Sequence, residues 1–448
     1  MAIDFTKAFE TETYLSEIIR KQVRYGVKFD LELAYRNVQE LTRVQDEAYA
    51  TIRPFLKHEI INLGEVKKIR LKSGKYIASL YSYFKDDELI AQFQDDKNII
   101  GGVFTRIAIE EPELSKRGLI VQQLLNMGWK PLMFTPTGLP KITDKGIPCS
   151  SLEAVGTFGK ALALYYTASH RKSQIEGLIK LVRSDGRIEA DMDTMGTNTA
   201  RCRHIGVVNI PRPSSFFGKE MRSMFCVGEG RVLVGSDASG LELRCLAHYM
   251  NDPDYVELIL HGDIHEFNRE VMGLATRNIA KSVIYCTLYG GGIKKIGETA
   301  GGSQKDGKRI QEALFSGVPT LKNLIDKCKR FGERDGHLPL IDGRKVILRK
   351  FEGRVLTNTA LNSLLQGTGS VLVKNWLVEV NKEVERRGLD AHQVLFVHDE
   401  VQFDCHPSVV EELTEILHTK ILEVGKFYNL KIPLACDVKV GKNWYDTH

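Results

Sequence analysis

Val394-Leu-Phe-Val-His-Asp399-Glu400-Val-Gln-Phe403 reads as a strand, a tight bend and a second strand, with His398-Asp399-Glu400 at the bend. A second apolar run, Val232-Leu-Val-Gly-Ser-Asp237-Ala-Ser239, also delivers an acid to its end. Carboxylates at the mouths of apolar strands are costly unless something binds them. On neighbouring strands, two of them could hold a pair of Mg²⁺ ions about 3.5–4 Å apart, the arrangement that drives in-line phosphoryl transfer. Taken alone, the bend reads equally as an ordinary polar surface turn, because three residues make a weak motif.

Composition sets the outer bounds. The 448 residues carry a net charge of +5 and the balance of an ordinary globular chain, enough for roughly three domains of about 150 residues. A mildly basic total permits a local nucleic-acid patch without requiring one. The eight cysteines are scattered, which points to a reducing, cytoplasmic compartment and against a disulfide framework. Cys202-x-His204 and Cys405-His406 lack the four-ligand spacing of a zinc site. No apolar run is long enough to span a membrane and no signal-peptide core opens the chain, so no membrane partner is expected.

Residues 14–57 have helical spacing broken at Gly26-Val-Lys-Phe-Asp30, and Leu31 to Leu56 predicts one long helix. From 60 to 109 the texture favours strands, at 76–84 and 103–109, and carries the basic cluster Lys67, Lys68, Arg70, Lys72 and Lys75. Ser115 is placed to cap a helix from Lys116 to Met127, and residues 150–184 are again helical. Gly186 to Met192 reads as a hairpin and 195–218 as a polar loop. After the Asp237 strand come a helix through Glu242, Arg244 and His248, helices from 253 to 335, and a hairpin at 338–349. A helix from 357 to about 387, the Asp399 hairpin, a helix at 407–428 and a strand at 434–440 complete the chain. Helices in runs with dispersed strands fit an α+β plan.

Arg277, Lys281, Tyr285 and Tyr289 recur every fourth residue and share one helix face. Two cations followed by two rings could bind a nucleoside triphosphate, the cations on phosphate oxygens and Tyr285 on base or sugar. An amphipathic helix with a solvated basic end has the same pattern. Thr197-Asn-Thr-Ala-Arg201-Cys-Arg203-His204 is a basic loop that could track a nucleic-acid backbone, or simply a solvated loop.

In combination these segments are far more specific. Asp237-Ala-Ser-Gly-Leu-Glu242-Leu-Arg244, Arg277-x₃-Lys281-x₃-Tyr285-x₃-Tyr289-Gly290 and Val397-His398-Asp399-Glu400 resemble motifs A, B and C of family A DNA polymerases. Gly262-Asp-Ile-His265, Asp342-Gly-Arg344 and Asn362-Ser-Leu-Leu-Gln366 match between them. Ala238 to His248, Gly441-Lys-Asn-Trp444 and His448 are closest in wording to replicative enzymes of short-tailed bacteriophages, which would place the chain in a host cytoplasm. The resemblance is strong from residue 186 onward and thin across 58–112.

The resemblance implies a right-hand fold with an antiparallel palm sheet and helical fingers and thumb. The palm would comprise 1–30, 186–250 and 362–448, the thumb 31–185 with an insert at 58–112, and the fingers 251–361. Its activity would be template-directed addition of deoxynucleotides to a primer 3′-OH. Asp237, Asp399 and the Ala238 carbonyl would ligate two Mg²⁺ ions, with Mn²⁺ able to substitute, and Glu400 would be an auxiliary acid near the primer end. Arg277, Lys281 and His265 would hold the incoming phosphates, with Lys281 also placed to protonate pyrophosphate. Glu242 beside Tyr289 would exclude a ribose 2′-OH. Arg201, Gln366, His398 and Asn362 would read minor-groove acceptors. Thr199-Ala200-Arg201 departs from the usual Thr-Gly-Arg and its loop is short, so Arg203 rivals Arg201. The expected partners are primer-template DNA and dNTPs; a processivity factor at the insert and a separate exonuclease or helicase are further ones it allows. The polymerase-like helices start within the first 20 residues, so no proofreading nuclease is expected on this chain.

The insert's Lys67–Lys75 cluster is expected to lie over duplex phosphates, with a stabilising elaboration as the other reading. Two other classes stay open: a single-subunit RNA polymerase, which Glu242 with Tyr289 argues against, and a non-catalytic DNA-binding scaffold, which would have no need of these carboxylates. A hydroxyl at Tyr285, where many relatives carry Phe, can stand in for a missing sugar 3′-OH. Dideoxynucleotides should therefore be incorporated readily; strong discrimination in a chain-termination assay would refute this.

Overall fold

A computed structural model describes residues 5–56, 59–66, 72–73, 104–110, 113–144 and 146–448. Lys67, Lys68, Arg70, Lys75 and the expected strand at 76–84 lie outside the described residues, and Lys72 is exposed in a turn. The chain divides into two units, 1–37 with 175–448, and 38–174.

The first unit is organised around a four-stranded sheet in the order Ala391–Val397, Glu400–Cys405, Val232–Ala238, Cys436–Gly441. All neighbours are antiparallel, with Asp237 opposite Glu400 on one side and Asp437 on the other. The strand Glu400–Cys405 is buried at every residue. Residues facing both ways along it are therefore mostly apolar or hydrogen-bonded, and the simple alternation of a half-exposed strand is lost. Gly235 has no room for a side chain: a Cβ there would lie 2.4 Å from Gln402 Nε2 and 2.6 Å from the Thr447 carbonyl. The final residues of the chain pack against that strand.

Behind the sheet runs the helix Ala360–Arg387, buried on almost every face through Val384 and closed by Gly388 at φ +66°. Arg386 and Arg387 in its last turn complement the helix dipole. It packs against the helices Thr6–Tyr25 and Val410–Phe427, and its Trp376 Nε1 donates to the Leu417 carbonyl at 3.0 Å. Helices Pro253–His261, Ile264–Met272, Arg277–Leu288, Ile293–Thr299, Gln304–Gly317 and Pro319–Asp335 share the same apolar core.

A charged cluster crosses this core. Lys374 is only 1 % exposed, and its Nζ donates to Glu12 Oε1 at 2.8 Å and to the Thr194 carbonyl at 2.7 Å. Arg344 donates to the same Glu12 oxygen at 2.6 Å and to Asp342 Oδ2 at 2.6 Å. Two cations meet two acids, so the cluster is neutral and ties the first helix to the Asp342 turn and the long helix.

Several expectations need correction. Gly186–Met192 is not a hairpin: Arg187–Ile188 pairs with Val27–Phe29 in a three-stranded sheet completed by Phe225–Cys226, while Asp191–Asp193 pairs with Arg203–Ile205. Between them the Ala190 carbonyl is taken by Gln22 Nε2, and each short strand finds a distant partner. The Arg203–Ile205 strand also lies inside the expected loop. Ser115 does not cap its helix; Lys116 is the N-cap residue, and the Ser115 hydroxyl donates to Glu113 at 2.7 Å. It lies one residue too early to reach the free N–H groups.

In the second unit, Ile52, Ile120, Leu124, Trp129, Leu152, Phe158 and Leu162 form a separate core. The described strands Glu59–Val66 and Phe104–Glu110 pair antiparallel. All eight cysteines are free thiols. Among the described residues, no helix is long and apolar enough to cross a membrane.

Removing one member of a buried charge cluster strands another. Lys374→Met should lower stability by about 3 kcal/mol in urea unfolding, and adding Glu12→Gln should restore part of that loss because Arg344 and Asp342 then balance.

Candidate active site

The register of the sheet aligns three carboxylates across one face: Glu400, Asp237 and Asp437. Asp399 stands at the bend beside them, its carbonyl accepting from the Ala238 N–H at 3.2 Å. Asp237 thus ends a strand paired directly with the Glu400 strand, and Asp399, the bend residue that leads into the Glu400 strand, is tied to the next residue of the Asp237 strand through that hydrogen bond. Like charges opposite one another in a sheet repel, and the acids divide by how that repulsion is answered.

Glu400 is buried and fully engaged. One oxygen accepts from Gln402 Nε2 at 2.7 Å and from Trp444 Nε1. The other accepts from His448 Nδ1 at 2.8 Å, with Arg222 at 3.8 Å. These partners outweigh burial and hold its carboxyl below the usual range. Arg222 lies over the Trp444 ring at 4.3 Å. Asp437 accepts from Ser239 Oγ at 2.9 Å.

Asp237 and Asp399 have neither a side-chain hydrogen bond nor an ion pair among the described residues. Asp237 is exposed at its strand end, yet partial desolvation of its carboxyl in the cleft, then Asp399, then Glu400 push it up to about 7. Burial is also the main cause raising Asp399, partly offset by Arg201. This donor set suits divalent cations: hard oxygen ligands, crowded, and short of positive charge.

Within electrostatic reach of Asp399, through Tyr285, is the Arg277–Leu288 helix, N-capped by Thr276. Ala280, Val283, Ile284, Thr287 and Leu288 are buried, leaving Arg277, Lys281 and Tyr289 exposed and Tyr285 half-buried. Asp263 caps the preceding helix through the His265 and Glu266 N–H groups, while its other oxygen accepts from Arg277 Nε at 2.7 Å. His265 is buried with Nδ1 unpartnered, its ring 6.4 Å from that of Tyr285. Asp399 and Glu242 both act electrostatically on Tyr285. Gly290, at φ +83°, closes the helix where a Cβ would lie 2.1 Å from the Asn358 carbonyl.

Glu242 joins the two sides. Oε2 accepts from the Tyr289 hydroxyl at 2.9 Å, and Oε1 from Arg201 Nη2 at 3.0 Å. Arg201 therefore reaches the cleft, whereas Arg203 is turned to Asp193 at 3.3 Å. Ala200 before it has φ +58°, a left-handed conformation that favours glycine; its carbonyl is fixed by Ser370 Oγ at 2.8 Å. Gln366 and Asn362 are half-buried on the long helix, Asn362 Oδ1 without a partner. His398 is exposed at φ +60°.

Residues 126–446 match the family model of DNA polymerase family A. The chain belongs to that family. It is 30% identical to the DNA-directed DNA polymerase of Escherichia phage Phieco32, over 70% of this chain and 63% of that one. Against the DNA-directed DNA polymerase of Escherichia phage T7 it is 29% identical, over 99% of this chain and 70% of that one. The chain thus spans about two thirds of these relatives' length. Its fold matches the POL domain of Pol1 from M. smegmatis, a structure in complex with DNA primer-template and dNTP, with a TM-score of 0.74 at 20% identity, covering 97% of this chain and 70% of that one. The architecture is the right-hand polymerase fold.

Sequence reasoning missed Asp437, Arg222, Asp263 and the Trp444–His448 clasp on Glu400. Only the wording around Asp263 and Trp444 hinted at two of them. An acid whose carboxyl is raised on folding weakens the native state above that raised value, and the penalty disappears as pH falls towards the unfolded value. With chelator present at pH 8, Asp237→Asn should raise the melting temperature by about a degree or two, a gain kept small because solvent at this exposed strand end screens the repulsion. The gain should fade between about 7 and the ordinary 3.8. An unchanged or lowered melting temperature at pH 8 would refute it.

Proposed function

We propose that this chain extends a DNA primer, adding deoxynucleoside triphosphates to its 3′-OH by two-metal-ion phosphoryl transfer. The observation that carries the reading is the pair of uncompensated acids, Asp237 and Asp399, with Asp399 acting electrostatically on Tyr285 in the Arg277–Lys281–Tyr285–Tyr289 row of one helix. Asp237, Asp399 and the Ala238 carbonyl would hold Mg²⁺ or Mn²⁺, which when bound supplies activation of the 3′-OH and charge neutralisation of the leaving pyrophosphate.

The chain's own groups do the rest. Arg277 exchanges Asp263 for a phosphate oxygen, an inexpensive exchange because that ion pair is half exposed. Lys281 and His265 complete the phosphate grip, and Lys281 supplies a proton to pyrophosphate. Tyr285 stacks on the incoming sugar and base. The Tyr289–Glu242 hydrogen bond builds a rigid floor where a ribose 2′-OH would lie. Arg201, Gln366, Asn362 and His398 contact minor-groove acceptors common to correct base pairs. Glu400, clasped on both oxygens, acts by holding the bend.

We assign 1–30, 186–250 and 362–448 to the palm, 251–361 to the fingers and 31–185 to the thumb. Free thiols throughout suit a reducing cytoplasm. The partners on this reading are primer-template DNA and dNTPs, with a processivity factor, helicase or exonuclease as further proteins it allows.

The test is primer extension on a primed single-stranded template with Mg²⁺. Wild-type protein should extend to template length with dNTPs, and Asp399→Ala should lose extension by at least about a thousandfold while still binding DNA. Ribonucleotides should be poor substrates until Glu242→Ala opens the floor. Efficient ribonucleotide use by wild type would favour an RNA polymerase, and no extension by folded, DNA-binding protein would favour a scaffold.

A further inference from the structure

We propose that His204 is a positioning residue that sets the His398–Asp399 bend, an inference resting on the polymerase reading above. His204 lies on the short strand Arg203–Ile205, opposite Met192, so its backbone is anchored away from the bend. Its Nε2 lies 2.9 Å from the Phe396 carbonyl. A carbonyl only accepts, so Nε2 carries the proton and donates. Its ring meets that of His398 edge to face, with centroids 5.4 Å apart and planes at 84°. One side chain therefore touches the strand end two residues before the bend and the first residue of the bend itself.

The bend needs such support. His398 has φ +60°, a left-handed conformation uncommon outside glycine although histidine enters it more readily than most side chains, so the contacts around the ring help to select it. On the far side, Asp399 is tied through its carbonyl to the Ala238 N–H. His204 and Ala238 thus grip the bend from opposite sides, and Asp399 stands between them. An aromatic edge-to-face contact fixes His398 in rotation, and the hydrogen bond fixes the height of the strand end. Small displacements of a reacting geometry have large effects on rate, so loosening this grip acts on turnover. Of the triphosphate holders, Arg277 and Lys281 lie on the Arg277–Leu288 helix and His265 on the Ile264–Met272 helix, and His204 makes no hydrogen bond or ring contact to any of them among the described residues.

The amides separate position from polarity. Glutamine can place its Nε2 where the distal imidazole nitrogen lies, whereas asparagine is too short. The experiment measures single-turnover dNTP incorporation on a primed template for wild type, His204→Gln and His204→Asn, with melting temperatures alongside. His204→Asn should slow the saturated rate about tenfold, the scale of one hydrogen bond, with the half-saturating dNTP concentration unchanged, and His204→Gln should recover most of the rate. If the asparagine variant unfolds, His204→Phe keeps the ring edge without the donor and should also be slower than His204→Gln. Equal rates for all variants, equal slowing of both amides, or a loss carried by dNTP affinity would overturn the inference. Wild-type protein that extends no primer would overturn the polymerase reading itself.

Discussion

Carboxylates crowded onto one end of an apolar sheet are the constraint around which this molecule is built. Glu400, Asp237 and Asp437 lie in register across three strands, and Asp399 stands at the adjoining bend. A sheet does not keep so much like charge without compensation. The fold answers it selectively. Glu400 receives His448, Trp444, Gln402 and Arg222, and Glu242 receives Arg201 and Tyr289. Asp237 and Asp399 receive no such partner among the described residues, and desolvation together with the neighbouring acids raises both carboxyls. Where neighbouring acids are paired and two are not, the unpaired ones are the natural place for a cation supplied from outside.

Much of the remaining architecture keeps that end of the sheet in place. Gly235 lets the chain's last residues lie on the Asp237 strand, which brings Trp444 and His448 to Glu400. The Glu12–Lys374–Arg344–Asp342 cluster ties the first helix to the long buried one behind the sheet. Such a cluster is a poor source of net stability, since desolvation offsets much of its attraction. It acts instead through geometry: an ion pair with two defined partners tolerates less sliding than an apolar contact. The segment at Thr194, held by Lys374, leads into the strand that carries His204.

The local pattern of the sequence revealed the long helices and the two acid-bearing strands, because a four-residue recurrence or an apolar run extends over many residues. The resemblance of three motifs revealed the family. What local pattern could not reveal was pairing at a distance. Arg187–Ile188 and Asp191–Asp193 are too short to carry periodicity, and a plausible hairpin between them gave way to partners far along the chain. Asp437 looks like any polar residue near a strand start until register puts it opposite Asp237. The choice between Arg201 and Arg203 was likewise open in one dimension, and a side chain's direction separates them: one meets Glu242, the other Asp193.

The cleft also sorts its contacts by how readily they exchange. Glu242 is gripped from two sides and half-buried, so the floor it forms with Tyr289 exists before any nucleotide arrives and needs no reorganisation. Arg277 is held by one exposed acid that is itself committed to capping a helix. Asp263 loses little when Arg277 leaves, because two backbone N–H groups still satisfy it. On the polymerase reading, discrimination of the sugar therefore rests on rigid groups, while capture of the triphosphate rests on a cation free to move. A triphosphate that must be captured and then let go as pyrophosphate suits a cation free to move, whereas a single hydroxyl that must be rejected calls for groups that do not yield.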